Sequence, residues 1–189
     1  MSASDRNLPE ARFRYGPTAR ALHWVIGVLV IGLIPLGLYM VARGEATGFD
    51  ALTGSLYSLH KFVGFLVLWL VVLRVLVRLR RGEPARVAPL TPLERLASAA
   101  VHAALYLLLL VVPLLGWAGV SAYPALDVFG LFNLPALLSP DEALAKRILG
   151  LHGLLAQLPG VLALAHIAAA LYHRFLKRDG VMARMWPPF

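Results

Sequence analysis

Apolar residues in this chain gather into four long runs, about residues 21–41, 59–79, 96–120 and 151–176, each bounded by polar or basic positions. A helix rises about 1.5 Å per residue, so some 20 apolar residues cross the ~30 Å hydrocarbon core of a bilayer. Each run is long enough. The pattern predicts an all-α, integral membrane four-helix bundle in which residues 1–189 form a single membrane domain. Pro35, Pro113 and the Pro159-Gly160 pair fall inside runs, where neighbouring helices compensate the lost backbone bonds, and a kink is expected at Pro159.

The connections read differently from one another. Ala42–Ser58 is a Gly-containing loop with Glu45 and Asp50, and Gly82–Pro92 is a proline-bearing connector. Ser121–Ser139 is still apolar but too short and broken to cross, so it is expected in the membrane interface. Ser139-Pro140-Asp141-Glu142 has the order of a helix start, with Ser139 as the N-cap and the fourth helix beginning near Pro140. A signal peptide is the rival reading of the first run, but Ala21–Val41 is too long for one.

Composition agrees with a membrane protein: 59% of residues are hydrophobic, 15% are charged, and the mean hydropathy is +0.73. There is no cysteine. That excludes covalently attached haem, cysteine-ligated iron–sulfur clusters, thiolate catalysis and disulfides. The net charge of +8 is not a nucleic-acid footprint, because the basic residues flank apolar spans. Lys and Arg concentrate before the first run, in the Arg74–Arg95 stretch and in the tail, while Arg43, Lys61, Lys146 and Arg147 occupy the other two loops. The positive-inside rule then puts both termini in the cytoplasm.

Six histidines supply the candidate chemistry. His152, His166 and His173 are spaced by 14 and 7 residues, which returns each to within about 40° of one stripe of a helix. His152 and His166 stand roughly 21 Å apart along that axis, too far for one metal ion. Counting from the ends of the runs, His23 matches His166 near the cytoplasmic face and His60 matches His152 near the outer face. Two histidines on facing helices are the axial ligand set of a b-type haem. A lone histidine in a span can also simply hydrogen-bond a neighbouring helix. His102 and His173 remain at the cytoplasmic ends of their helices, as interfacial residues or as lining for a quinone, whose carbonyl oxygens need hydrogen bonds and protons. Arg20 and Arg74 lie at the same boundary, as propionate partners or as topological anchors. Gly64 follows His60 by one turn and Gly27 follows His23, where either admits a flat macrocycle or a close helix contact.

Arg20-x-x-His23-Trp24, His60-x-x-x-Gly64 with Arg74, His102 and the His152/His166/His173 ladder together resemble the bacterial cytochrome b561 family, over about residues 15–180. That family is related to the cytochrome b subunits of formate dehydrogenases and nickel hydrogenases. The resemblance implies a multi-pass protein of the bacterial inner membrane with two haem b groups, His23 and His166 ligating one iron and His60 and His152 the other. It also implies a quinone site at His102 and His173, with ubiquinone as electron acceptor. The activity expected from it is superoxide oxidation, a superoxide:ubiquinone oxidoreductase. A haem electron-transfer subunit fed by a periplasmic partner protein is the alternative. The expected partners are membrane lipid, quinone, and superoxide or that donor protein, with no nucleic acid.

Overall fold

The computed structural model describes residues 13–85 and 90–187. Arg6, Arg12 and Arg86, which entered the charge count, lie outside the described residues. The order of elements is α1 (Pro17–Thr47), α2 (Ala51–Arg81), α3 (Pro92–Ala122), β1 (Asp127–Val128), β2 (Phe132–Asn133), α4 (Glu142–Leu155) and α5 (Gln157–Tyr172). A π-helical turn, His173–Lys177, continues α5, and a 3-10 turn, Met182–Arg184, follows.

The helices outrun the apolar runs because polar caps extend them. Each of α1, α2 and α3 has 31 residues, about 46 Å at ~1.5 Å per residue, well over the hydrocarbon thickness. Between α1 and α2 only Gly48, Phe49 and Asp50 remain as a turn, not the long loop expected over Ala42–Ser58. Gly48 closes α1 in the left-handed region at φ 63°, and Asp50 opens α2 by accepting from the Thr53 amide. A reciprocal capping box, Thr91 with Glu94, starts α3. The fourth helix begins one cap later than expected: Asp141, not Ser139, accepts from the Leu144 amide. Its carboxylate stands where it can reach that free N–H.

Packing closes the helices into a ring, α1 on α2, α2 on α3, α3 on α4 and α5, and α5 back on α1. Leu22 and Ile26 of α1 meet Val67 and Val71 of α2 in the core, with Tyr106, Leu109 and Leu110 of α3 packed against them. Elsewhere large apolar side chains face outward, among them Leu107, Leu164 and Leu176. Such an inside-out distribution suits lipid as solvent. All four helical spans, counting Glu142–Lys177 as one, are long and apolar enough to cross a membrane.

The fourth span is broken at Ala156, between α4 and α5. Pro159 has no N–H to give the Leu155 carbonyl, so the regular ladder cannot run through this turn. The end of the bundle where α1 starts and α2 finishes is called basal below, and the opposite end distal. A loop with a small β-hairpin, Asp127–Val128 paired to Phe132–Asn133, covers the distal end. It is pinned to α3 by Ser121, whose Oγ accepts from the Leu137 and Leu138 amides and donates to the Leu138 carbonyl. Lys61 of α2 donates to the Ala125 and Asp127 carbonyls of the same loop.

Candidate functional site

Four histidines meet in two pairs, one toward each end of the bundle. The rings of His23 (α1) and His166 (α5) have centroids 5.9 Å apart, and those of His60 (α2) and His152 (α4) 6.1 Å apart. Two imidazoles that bind one metal from opposite sides, each through a nitrogen at about 2 Å, leave their centroids roughly 6 Å apart. The spacing therefore fits axial ligation of a haem iron. All four rings are half-buried. Among the described residues no three His, Asp or Glu side chains converge on a point where a metal ion could be held by protein alone.

The distal pair is seated by two glycines. A β-carbon on Gly37 of α1 would stand 3.2 Å from His60 Cε1, and one on Gly116 of α3 would stand 3.0 Å from His152 Cε1. Each imidazole thus approaches the backbone of a neighbouring helix with its Cε1–Nδ1 edge. Against α3, His152 Nδ1 donates to the Val112 carbonyl at 2.9 Å. That bond sets the tautomer and leaves Nε2 with its lone pair free, the arrangement that metal-binding histidines use. His60 Nδ1, by contrast, is buried without a partner.

Gly27 and Gly64 follow His23 and His60 by one turn, and nothing stands within 4 Å of where their β-carbons would lie. A flat ring has room there. At the basal end Arg20 is only 9% exposed, and its Nε is buried without a partner. A buried guanidinium three residues from His23 calls for an anion, and a carboxylate side arm of haem fits it.

Arg74 is placed differently. Its Nη1 donates to the Ala19 carbonyl at 2.7 Å and its Nε to the Tyr106 hydroxyl at 3.1 Å, so it clamps α1, α2 and α3 together. His102 of α3 lies beside the basal pair, its ring centroid 5.1 Å from that of His166, and its Nδ1 donates to the Ser98 carbonyl. His173 is engaged elsewhere: in the π-helical turn its Nδ1 donates to Asp179 at 2.6 Å. Asp179, just past the apolar span, has its carboxyl pushed up by burial, but the hydrogen bonds from His173 and the Val181 amide and the nearby His173 and Lys177 charges together outweigh this, and it ends below its ordinary range. Gly37, Gly116, the Val112 carbonyl and Asp179 carry no signal of their own in the sequence. They matter through contacts between helices whose rotation about their axes the apolar pattern does not define.

Residues 14–188 match the family described as prokaryotic cytochrome b561. The chain is 36% identical to cytochrome b561 homolog 2 of Escherichia coli, over 95% of this chain and 93% of that protein. It is 31% identical to cytochrome b562 of Cereibacter sphaeroides, over 88% and 91%. It is 26% identical to the probable superoxide oxidase CybB of Yersinia pestis, over 92% and 96%. With the four spans and the paired histidines, these likenesses make the chain a multi-pass haem protein of the bacterial inner membrane, active in electron transport. The chain belongs to the prokaryotic cytochrome b561 family.

Proposed function

We propose that this chain is a di-haem b cytochrome that moves electrons across the membrane to or from quinone, acting as a superoxide:ubiquinone oxidoreductase. The observation that carries this reading is the pair of histidine couples, at 5.9 and 6.1 Å, toward opposite ends of one bundle. His23 and His166 would hold one haem b, and His60 and His152 the other. Haem b at these positions supplies one-electron redox chemistry. In the positive-inside orientation the basal end and both termini are cytoplasmic, and the distal end faces the periplasm.

The chain's own residues do the rest. Lys61, next to His60, fixes a positive charge at the distal end by its bonds to the Ala125 and Asp127 carbonyls. An approaching superoxide anion is attracted by such a charge. Each of two superoxide ions gives up one electron and leaves as dioxygen, and a quinone takes up two electrons and two protons to become the quinol. At the basal end His102 and His173 would flank the quinone. Asp179 holds the Nδ1–H of His173, which leaves Nε2 to carry a proton. The name of the Yersinia pestis relative supports the superoxide assignment.

A second reading has its own observation. Arg43 is paired with Asp50 and Lys146 with Glu142, so distal cations that would draw in an anion are neutralised. A periplasmic donor protein docked on the distal loop, where Phe129, Leu131 and Phe132 are exposed, would then feed a haem electron-transfer subunit. A reduced-minus-oxidised visible spectrum of the detergent-purified protein, with haem counted per chain, tests the common core. Two b haems in the wild type and one in His152→Ala are expected. Haem-free protein from haem-replete cells would overturn both readings. Quinone reduction driven by superoxide generated in the cuvette then separates the two.

A further inference from the structure

We infer that the basal end carries a binding site for the phosphate group of an anionic phospholipid, in the cleft between the start of α1 and the end of α2. The cleft has a volume of about 140 Å³, and Arg14, Arg74, Arg78 and Arg81 line it together with Glu83 and Tyr106. Four guanidinium groups thus face one carboxylate among the described residues, and that carboxylate is taken by Arg78. The Tyr106 ring packs under two of the cations, with the guanidinium carbons of Arg78 and Arg74 5.4 and 5.9 Å from its centre. Arg14 gives one nitrogen to the Trp186 carbonyl, while its Nε is buried without a partner. Crowding like charges around a cavity costs energy unless an anion completes it.

The backbone points to the same ligand. Gly16 is the N-cap of the 31-residue α1, makes no side-chain cap, and is followed by no acidic residue in the first turn. The free N–H groups and positive dipole end of α1 are therefore uncompensated beside the cleft. Arg81 Nη1 lies 3.1 Å from where a β-carbon of Gly16 would stand, so it reaches over this helix start. Guanidinium forks and helix N–H groups are matched by the several acceptor oxygens of a phosphate. Depth and surroundings favour a lipid as the source. The cleft sits where α2 passes from apolar residues to Arg78, Arg80 and Arg81, and the same turns expose Leu76 and Leu79 for acyl chains to lie on.

Neither Arg14 nor Arg81 touches the histidine pairs, so haem loading and lipid binding can be read separately. The haem-loaded protein would be released from mixed phosphatidylcholine and phosphatidylglycerol micelles and its retained lipids counted by native mass spectrometry. Retention of phosphatidylglycerol over phosphatidylcholine is expected. Arg81→Gln and Arg14→Gln should each weaken that preference about fivefold, with the visible spectrum unchanged. Arg81→Lys, which keeps the charge, should restore part of it. A preference that survives the double Gln variant overturns the site. Equal competition by inorganic phosphate overturns the lipid as source, and loss of haem from Arg81→Gln with lipid retention intact assigns the cleft to a haem carboxylate instead.

Discussion

The His152 ring rests on the backbone of Gly116: its Cε1 lies 3.0 Å and its Nδ1 3.1 Å from the place a β-carbon would occupy. One turn along α3, Gly119 does the same for Leu149, whose Cδ2 would come within 2.5 Å of a β-carbon there. These two glycines set how closely α4 approaches α3. The approach brings His152 Nδ1 to the Val112 carbonyl.

Gly116→Val is expected to displace the His152 ring and break that bond. Orienting partners of metal-binding histidines are worth about 10- to 100-fold in affinity, so in the proposed di-haem reading the distal haem should be retained that much more weakly. Haem per chain measured after extended dialysis against apo-myoglobin checks it, and full retention would remove Gly116 from the site.

Gly119→Leu tests packing without touching a histidine. Overfilling a close helix contact costs about 1–3 kcal/mol, and thermal unfolding in detergent should shift down accordingly while the haem spectrum of the folded fraction stays unchanged.

Ser121 is 2% exposed and its hydroxyl holds two amides and one carbonyl of the distal loop. Ser121→Ala leaves those groups to find other partners, at about 1–2 kcal/mol. Faster hydrogen exchange at Leu137 and Leu138 is the expected sign, with the basal end unaffected.

Asp50 gives the α1–α2 turn an acid limit. Its carboxyl is held down to about 2 by the amide and hydroxyl of Thr53, and further by Arg43. A folded-state pKa below the unfolded one, about 3.9, means the stabilisation is complete above pH ~4 and is lost as pH falls toward ~2. Thermal midpoints should therefore drop over that window in the wild type and less steeply in Asp50→Asn. Identical slopes would show that other carboxylates set the acid response.

His102 and His23 both lie beside His166, at 5.1 and 5.9 Å. If His23 is the partner of His166 on iron, His102→Ala keeps both haem signals and slows quinone reduction at least tenfold. Loss of a haem signal in His102→Ala with retention in His23→Ala would exchange their roles.

Much of this architecture is legible before any coordinates. Apolar length alone counts the spans, because hydrocarbon thickness leaves no other use for twenty consecutive apolar residues. Depth is legible too: the positions of His23 and His166, counted from the ends of their runs, place them at one level, and their rings lie side by side. Rotation about each helix axis is not. A span apolar on all sides has no stripe to say which face meets which neighbour, so Gly37 and Gly116 look like any other membrane glycines until the helices are packed. Cap chemistry is legible only in part: Ser139 has the pattern of an N-cap, but Asp141 is the residue whose carboxylate accepts from the Leu144 amide. The wide loop expected at Ala42–Ser58 shrank because Asp50, Thr53 and Arg43 satisfy a tight turn among themselves.

At the basal end the two extremes of the described chain are tied to each other. Trp24 donates to the Met185 carbonyl at 2.9 Å, the Tyr15 amide to the Arg184 carbonyl at 3.1 Å, and Arg184 in turn to the Phe13 carbonyl at 3.3 Å. These bonds join segments more than a hundred positions apart in sequence, so the floor under His23 and His166 cannot form until both are in place. The distal roof, by contrast, is held by Lys61 and Ser121, both of which precede the loop residues they bind. The two ends are therefore closed in different ways, the distal roof by side chains that lie earlier in the chain and the basal floor by a segment that follows all four spans.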